Sequence, residues 1–275
     1  MTKYTDKILE AINKVLPEDQ KETELLGFIN ESKDVFTFGH DSKIIGRLFE
    51  VLAEPYLQKA AKELGYTLHE STNQTAYPDF YFEDENKRRY AVDIKSTYRR
   101  SRISFTQGSF TSYLRDNTKN IDGNYTMYDK HYIIMFLYDR EANPSHGSYQ
   151  IDSLSKIVPA YKNVEVAVSE KYRVGGDQPG SGNTDNIGTI RAKTFEPFKY
   201  GWGPFAFLGN DVYEDYWRNY PRNRLSAKEK EKLYRTLPGY FDWLENKGEK
   251  ERSDDYRKKY QEYLDFVASK GWDIL

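Results

Sequence analysis

The sequence predicts an α/β protein, and three observations carry that reading. Residues 131–138, His-Tyr-Ile-Ile-Met-Phe-Leu-Tyr, are a nearly continuous apolar run, the mark of a central strand buried on both faces. Residues 88–96 alternate, with Tyr90, Val92 and Ile94 facing one way and Ala91, Asp93 and Lys95 the other, as a pleated strand requires. Around these strands lie segments with apolar residues at helical spacing.

Taken in order, Ile8, Leu9, Ile12 and Val15 mark a first helix over 6–15, closed by Pro17. Residues 24–38 read as short strands and turns. Asp41 and Ser42 can cap a helix beginning at Lys43, which carries Ile44, Ile45, Leu48, Phe49 and Leu52 and is bounded by Pro55. A separate helix over 57–64 stops at Gly65. Residues 79–82, a polar turn over 83–87 and the strand 88–96 form a hairpin. A further alternating strand spans 163–169. Residues 174–190 hold five glycines and Pro179 and read as a loop. Helices are expected over 211–220 and 227–236, and an amphipathic helix from about Lys250 carries Tyr256, Tyr260, Tyr263 and Phe266. With no repeat and no compositional break, residues 1–275 read as a single domain.

Composition narrows the function. The chain has 275 residues, a formal net charge of −2 and no cysteine, which excludes disulfides and cysteine zinc sites. Its four histidines, His40, His69, His131 and His146, have no metal-ligand spacing. No apolar run approaches the ~20 residues of a membrane span, and residues 1–6 lack a signal-peptide core, so a soluble, cytoplasmic protein without a membrane partner is expected. Charge is unevenly spread. Five basic residues and one acid lie between Ser96 and Asn120, and seven basic residues and two acids between Arg218 and Arg235, local balances that suit phosphate contact or a solvated face.

The chemistry-bearing residues are Pro78-Asp79 and Asp93-Ile94-Lys95. A hairpin brings Asp79, Asp93 and Lys95 together. Two close carboxylates repel and call for a cation, and with oxygen ligands that cation is hard, Mg²⁺ in the first instance. A same-facing lysine then completes the equipment for metal-assisted phosphodiester hydrolysis. Glu50, seven residues after Lys43 on one helix face and set among apolar neighbours, is a candidate third carboxylate. The alternative is a proline-led turn and a surface Asp–Lys pair worth under about 1 kcal/mol. The glycine-rich segment 180–188 lacks the lysine of a phosphate-binding P-loop. It reads either as a flexible surface loop or as a base-reading loop, in which Asn183 can pair with adenine N6 and N7 and Thr184 can meet a thymine methyl.

From about residue 36 to 245 the chain resembles the EcoRV-type family of type II restriction endonucleases. The matching stretches are Gly39-His40-Asp41-Ser42-Lys43 leading to Phe49-Glu50, Tyr77-Pro78-Asp79-Phe80, and Val92-Asp93-Ile94-Lys95-Ser96-Thr97-Tyr98. Thr111-Ser112, Arg115, Asn117-Thr118-Lys119-Asn120-Ile121, residues 180–184 with Asn186-Ile187-Gly188, and Asp215-Tyr216-Trp217-Arg218-Asn219-Tyr220 complete them. The resemblance implies a PD-(D/E)xK core, a mixed β-sheet flanked by helices, working as a homodimer on double-stranded DNA.

By the same resemblance, Asp79 and Asp93 match the metal-binding pair, Lys95 the catalytic lysine, and Glu50 a carboxylate implicated in a further metal. Gly180, Ser181, Gly182, Asn183 and Thr184 match the major-groove loop, and Asn186 a residue that holds it. Gln74 and Thr75 fall in the minor-groove loop. Ser42, Lys43, Thr97, Ser112 and Lys119 match positions near the DNA backbone. The implied reaction is Mg²⁺-dependent blunt cutting of GATATC at its centre, leaving 5′-phosphate and 3′-hydroxyl ends. Three residues depart from the pattern: Thr75 stands for an asparagine, Asp185 for a threonine and Ser96 for a threonine. Residues 1–35 are expected to serve dimerisation. Residues 250–275 have no family counterpart and are expected to be dispensable for chemistry. Rival readings are a PD-(D/E)xK nuclease of other specificity or role, such as repair or junction resolution, a catalytically inactive DNA-binding module, and a plain structural protein.

Overall fold

A computed structural model of the chain describes residues 5–17, 22–73, 75–180, 185–222, 225–226 and 233–275. Its centre is a five-stranded mixed sheet in the order β3-β4-β5-β7-β9, with β3 (Thr67–Glu70), β4 (Phe80–Glu83), β5 (Arg89–Tyr98), β7 (Tyr128–Arg140) and β9 (Tyr161–Glu170). β5 and β7 run parallel, and the other neighbours are antiparallel. The apolar run at 131–138 is the heart of β7, with Tyr132 through Tyr138 buried.

One face of the sheet packs on α1 (Lys7–Val15) and α2 (Ser42–Leu64), where Ile12, Phe49 and Leu57 meet Val92, Ile134 and Phe136. Asp6 caps α1 by accepting from the Ile8 and Leu9 amides, and its other oxygen takes Lys130 and Tyr132, pinning the helix to β7. Asp41 caps α2 as expected. The helix does not stop at Pro55. It continues to Leu64 and ends on Gly65, whose φ of 70° only glycine adopts freely. Pro55 deprives the Val51 carbonyl of its donor, but Pro55 and Val51 are both exposed, so water can take its place. Burial of Ala53, Leu57, Ala60 and Ala61 then carries the helix through.

The other face is covered by α3 (Glu196–Tyr200), α4 (Phe205–Leu208), α5 (Asn210–Asn219) and α6 (Leu237–Asn246). Of the helix expected over 227–236, residues 227–232 lie outside the described residues and 233–236 are not helical. Thr236 instead caps α6. A small sheet joins β1 (Phe28–Ile29), β2 (Asp34–Phe36) and β8 (Ser148–Gln150).

The glycine-rich segment is not all loop. β10 (Gly175–Pro179) and β11 (Asn186–Thr189) form an antiparallel ribbon that pairs with β6 (Thr106–Ser109) in a third sheet. The glycines serve close packing: a Cβ on Gly188 would lie 2.3 Å from the Gln178 carbonyl oxygen, and one on Gly176 2.7 Å from that of Thr189.

The C-terminal segment is built into the fold. α7 (Lys250–Ser269) buries Tyr263 and Val267, and Ser253 donates to the Phe241 carbonyl of α6. Beyond it, Leu275 exchanges two backbone hydrogen bonds with Arg191, and Asp273 pairs with Arg102 and Lys193. Among the described residues no helix is long and apolar enough to cross a membrane.

Candidate active site

The β4–β5 hairpin assembles the site. Asp79 stands at the entrance to β4, and Asp93 lies within β5, whose outer neighbours are β4 and β7. Strand alternation puts Asp93, Lys95 and Thr97 on one side. The Ile94 amide donates to Asp79 Oδ2 at 2.6 Å, fastening the first acid to the strand that carries the second. Lys95 Nζ lies 2.8 Å from Asp93 Oδ1 and 3.6 Å from Asp79 Oδ2, and donates to the Ile94 carbonyl at 3.0 Å. These groups open onto a cleft of about 310 Å³ whose walls include Glu50, Thr75 and Ser112.

The surroundings push the two acids in opposite directions. Burial pushes Asp79 up to about 7, with Lys95 opposing and the Asp93 charge adding to the rise. Burial also works against Asp93, but the Lys95 and Lys171 ammonium groups outweigh it and hold its carboxyl below the usual carboxylate range. For Lys95 burial opposes the charge, and Asp93 and Asp79 more than restore it, lifting the ammonium above its ordinary range.

Lys171 carries no motif that marks it in the sequence. It follows β9, where a lysine ordinarily ends a strand in solvent, yet here it is 4% exposed, with Nζ 3.6 Å from Asp93 Oδ2. Burial brings it down to about 8, with Asp93 pulling the other way. No local signal could have found it, because its burial comes from segments distant in sequence.

Both acids offer oxygen only, and Asp93 Oδ2 is buried without a hydrogen-bond partner. That donor set fits a hard divalent cation held by Asp79 and Asp93. Among the described residues no three acidic or histidine side chains gather closely enough to hold a metal. Glu50 shares the cleft and its charge reaches Asp79 and Lys95, while its Oε2 pairs with Arg47 at 2.5 Å.

The remaining candidates fall around this centre. Ser42 and Lys43 are exposed in the first turn of α2, and Gly46, one turn on, faces Ser96 of β5. Thr75 is exposed and donates to Asn73 Oδ1. Ser112 is buried and donates to the Lys119 carbonyl at 2.6 Å, shaping the turn whose Lys119 side chain is exposed. Asn186 opens β11, and its carbonyl accepts from the Gly180 amide at 2.9 Å. Gln74, Ser181, Gly182, Asn183 and Thr184 lie outside the described residues.

A mixed sheet that presents two carboxylates and a lysine from one hairpin defines the PD-(D/E)xK class of nuclease folds. Within it, the model of the restriction endonuclease EcoRV family matches residues 19–245, and this chain belongs to that family. It is 36% identical over 242 residues to the type II restriction enzyme EcoRV of Escherichia coli, covering 86% of this chain and 96% of that protein. The match reaches further toward the N-terminus than residue 36, where the resemblance becomes legible from motifs alone. The fold also aligns with NlaIV restriction endonuclease over 98% of this chain and 91% of that one, at 13% identity and a TM-score of 0.42, a likeness too loose to carry weight.

Proposed function

We propose that this protein is a Mg²⁺-dependent type II restriction endonuclease that hydrolyses double-stranded DNA at GATATC, bluntly at the centre, leaving 5′-phosphate and 3′-hydroxyl ends. The observation that carries the reading is the meeting of Asp79, Asp93 and Lys95 in one cleft of a chain from this family. Asp79 and Asp93 hold the cation, with Glu50 as a further carboxylate on the same cleft. When bound, the cation polarises the phosphate and acidifies a water. Lys95 orients the attacking water and stabilises charge gathering on the phosphate oxygens. Ser42, Lys43, Thr97 and Lys119 steady the DNA backbone, and Ser112 shapes the turn that presents Lys119. The segment from Gly180 through Ser181, Gly182, Asn183 and Thr184, held at its base by Asn186, reads the major groove. Gln74 and Thr75 meet the minor groove. A bend at the central TA step brings the phosphate to the acids, and such steps deform at low cost.

A palindromic site has two equivalent strands, which a two-fold protein serves with one active site each. Phe28, Ile29 and Phe36 are 51%, 61% and 46% exposed on the small sheet, within and beside the segment 1–35 assigned to dimerisation. An exposed apolar patch of this kind suits a second copy of the chain.

The deciding experiment incubates a plasmid carrying a single GATATC with Mg²⁺ and either the wild type or Asp93→Ala. Blunt linear product from the wild type alone supports the whole reading. Cutting at other sites keeps the nuclease and moves its specificity, with Thr75 and Asp185 as the residues to revert. No cutting of any DNA by folded wild type leaves the inactive DNA-binding module as the better reading.

A further inference from the structure

The carboxylates of the cleft are matched charge for charge. Asp79 and Asp93 face Lys95 and Lys171, and Glu50 faces Arg47, so the fully ionised set sums to zero. Lys171 differs from the other cations in this set. It is buried, it is not a wall of the cleft, and it meets Asp93 from beneath.

Its surroundings hold the ammonium in place. Nζ donates to the Tyr113 hydroxyl at 3.0 Å and lies 4.0 Å from the centre of the Tyr77 ring, a cation–π contact. The Tyr113 hydroxyl donates onward to the Gln107 carbonyl at 2.9 Å, which leaves its lone pair for Lys171. Gln107, fully buried on β6, donates from Nε2 to the Lys171 carbonyl at 2.7 Å and accepts at Oε1 from the Tyr213 hydroxyl. β6 is the strand that pairs with β11 of the ribbon. The lysine is therefore gripped at its backbone and its head by groups from the ribbon's own sheet and the turn after it.

We propose that Lys171 is a positioning residue for Asp93, a resident counter-charge that keeps the divalent cation weakly bound in the free protein until a DNA phosphate supplies the missing negative charge. The proposal rests on the assignment of Asp79 and Asp93 as the cation pair. A fixed positive charge a few ångströms behind Asp93 repels any second cation that approaches the carboxylate from the cleft, and that repulsion acts strongly away from bulk water. A bound phosphate reverses the balance.

The test measures Ca²⁺ binding by calorimetry, with and without a GATATC duplex, for wild type, Lys171→Gln, Lys171→Arg and Asp93→Asn, with folding of each checked by thermal melting. The expected result is Ca²⁺ affinity in free Lys171→Gln raised about tenfold or more, the order set by loss of one nearby unit charge. The arginine variant keeps the weak wild-type affinity, and the gap between free and DNA-bound affinities narrows in the glutamine variant alone. A lysine that merely props the fold would leave free-protein affinity unchanged or lower it, and that result overturns the proposal. Should the glutamine variant not fold, Lys171→Met is measured in its place. Wild type then gives an independent arm: equal Ca²⁺ affinity with and without DNA also overturns the proposal. If wild type binds Ca²⁺ with DNA and Asp93→Asn does not, the cation assignment stands whatever Lys171 does. If the two bind alike, the assignment itself falls.

Discussion

The β4–β5 hairpin and the β10–β11 ribbon are both antiparallel strand pairs, and they are held in different ways. The hairpin is continuous with the central sheet. β5 is flanked by β4 and β7, and its apolar side chains are sealed under α1 and α2. The ribbon is fastened from outside. Asp177 accepts from the Leu237 amide and from the Tyr216 hydroxyl, Gln178 donates to the Arg235 carbonyl, and Arg191 donates to the Pro179 carbonyl while its backbone pairs with Leu275. Core burial gives the acids one geometry. The ribbon buries Ile187 and Thr189 and is otherwise held by hydrogen bonds, including those of its own Asp177 and Gln178 side chains.

The strongest way to break this contrast is Asp93→Ala. It should lower single-turnover plasmid cleavage by on the order of 10³-fold or more without altering the ribbon. A retained rate would end the hairpin's claim to the chemistry. Next in size is Gly188→Ala. The added methyl meets the Gln178 carbonyl and the Gly180 backbone, neither of which can swing aside. Urea denaturation should show a loss of about 1–3 kcal/mol, with site selectivity degraded more than cutting itself. Removal of residues 270–275 should cost about 1–2 kcal/mol, through the lost Leu275 and Asp273 contacts. Hydrogen exchange should then rise around Arg191 while β5 and β7 keep their protection. Equal loosening of both regions would erase the distinction.

The smallest effect concerns pH. Burial opposes the Asp6 charge, but the Leu9 amide, Lys130 and Tyr132 overcome it, and the folded carboxyl lies below its ordinary value. An acid depressed on folding adds stability that is fully present above its unfolded pKa and is lost as pH falls through the folded value. Asp6→Asn should therefore flatten the acid limb of the stability curve below about pH 4, costing about 1 kcal/mol at neutral pH, and leave the ribbon untouched.

What is legible in the sequence follows the same division. The hairpin can be read because period-two alternation and the spacing of Asp79, Asp93 and Lys95 are local properties of one pair of strands. α1 and the start of α2 are legible from their caps and apolar spacing. The ribbon reads wrongly as loop because glycine is a turn former and also the residue two crowded backbones demand, and only the fold distinguishes the two. Pro55 reads as a boundary because the burial that overrides it lies on the sheet. Lys171 leaves no signal, since its meaning comes from Asp93, Tyr113 and Gln107 on other segments. The C-terminal segment looks like an appendage because its partners, Arg191 and Trp202, precede it by many residues.

The confinement of the two acids and the lysine to the stretch from Asp79 to Lys95 has a consequence for how such a protein changes over time. The groups proposed to react travel as one uninterrupted cassette of coding sequence, and the ribbon proposed to address a target is anchored elsewhere. On the proposed roles, drift or recombination at the tip of the ribbon rewrites the address while the acid–lysine cassette is inherited whole, and a designer seeking a new target can redraw that tip and its C-terminal fastening while leaving β6 and its grip on Lys171 in place.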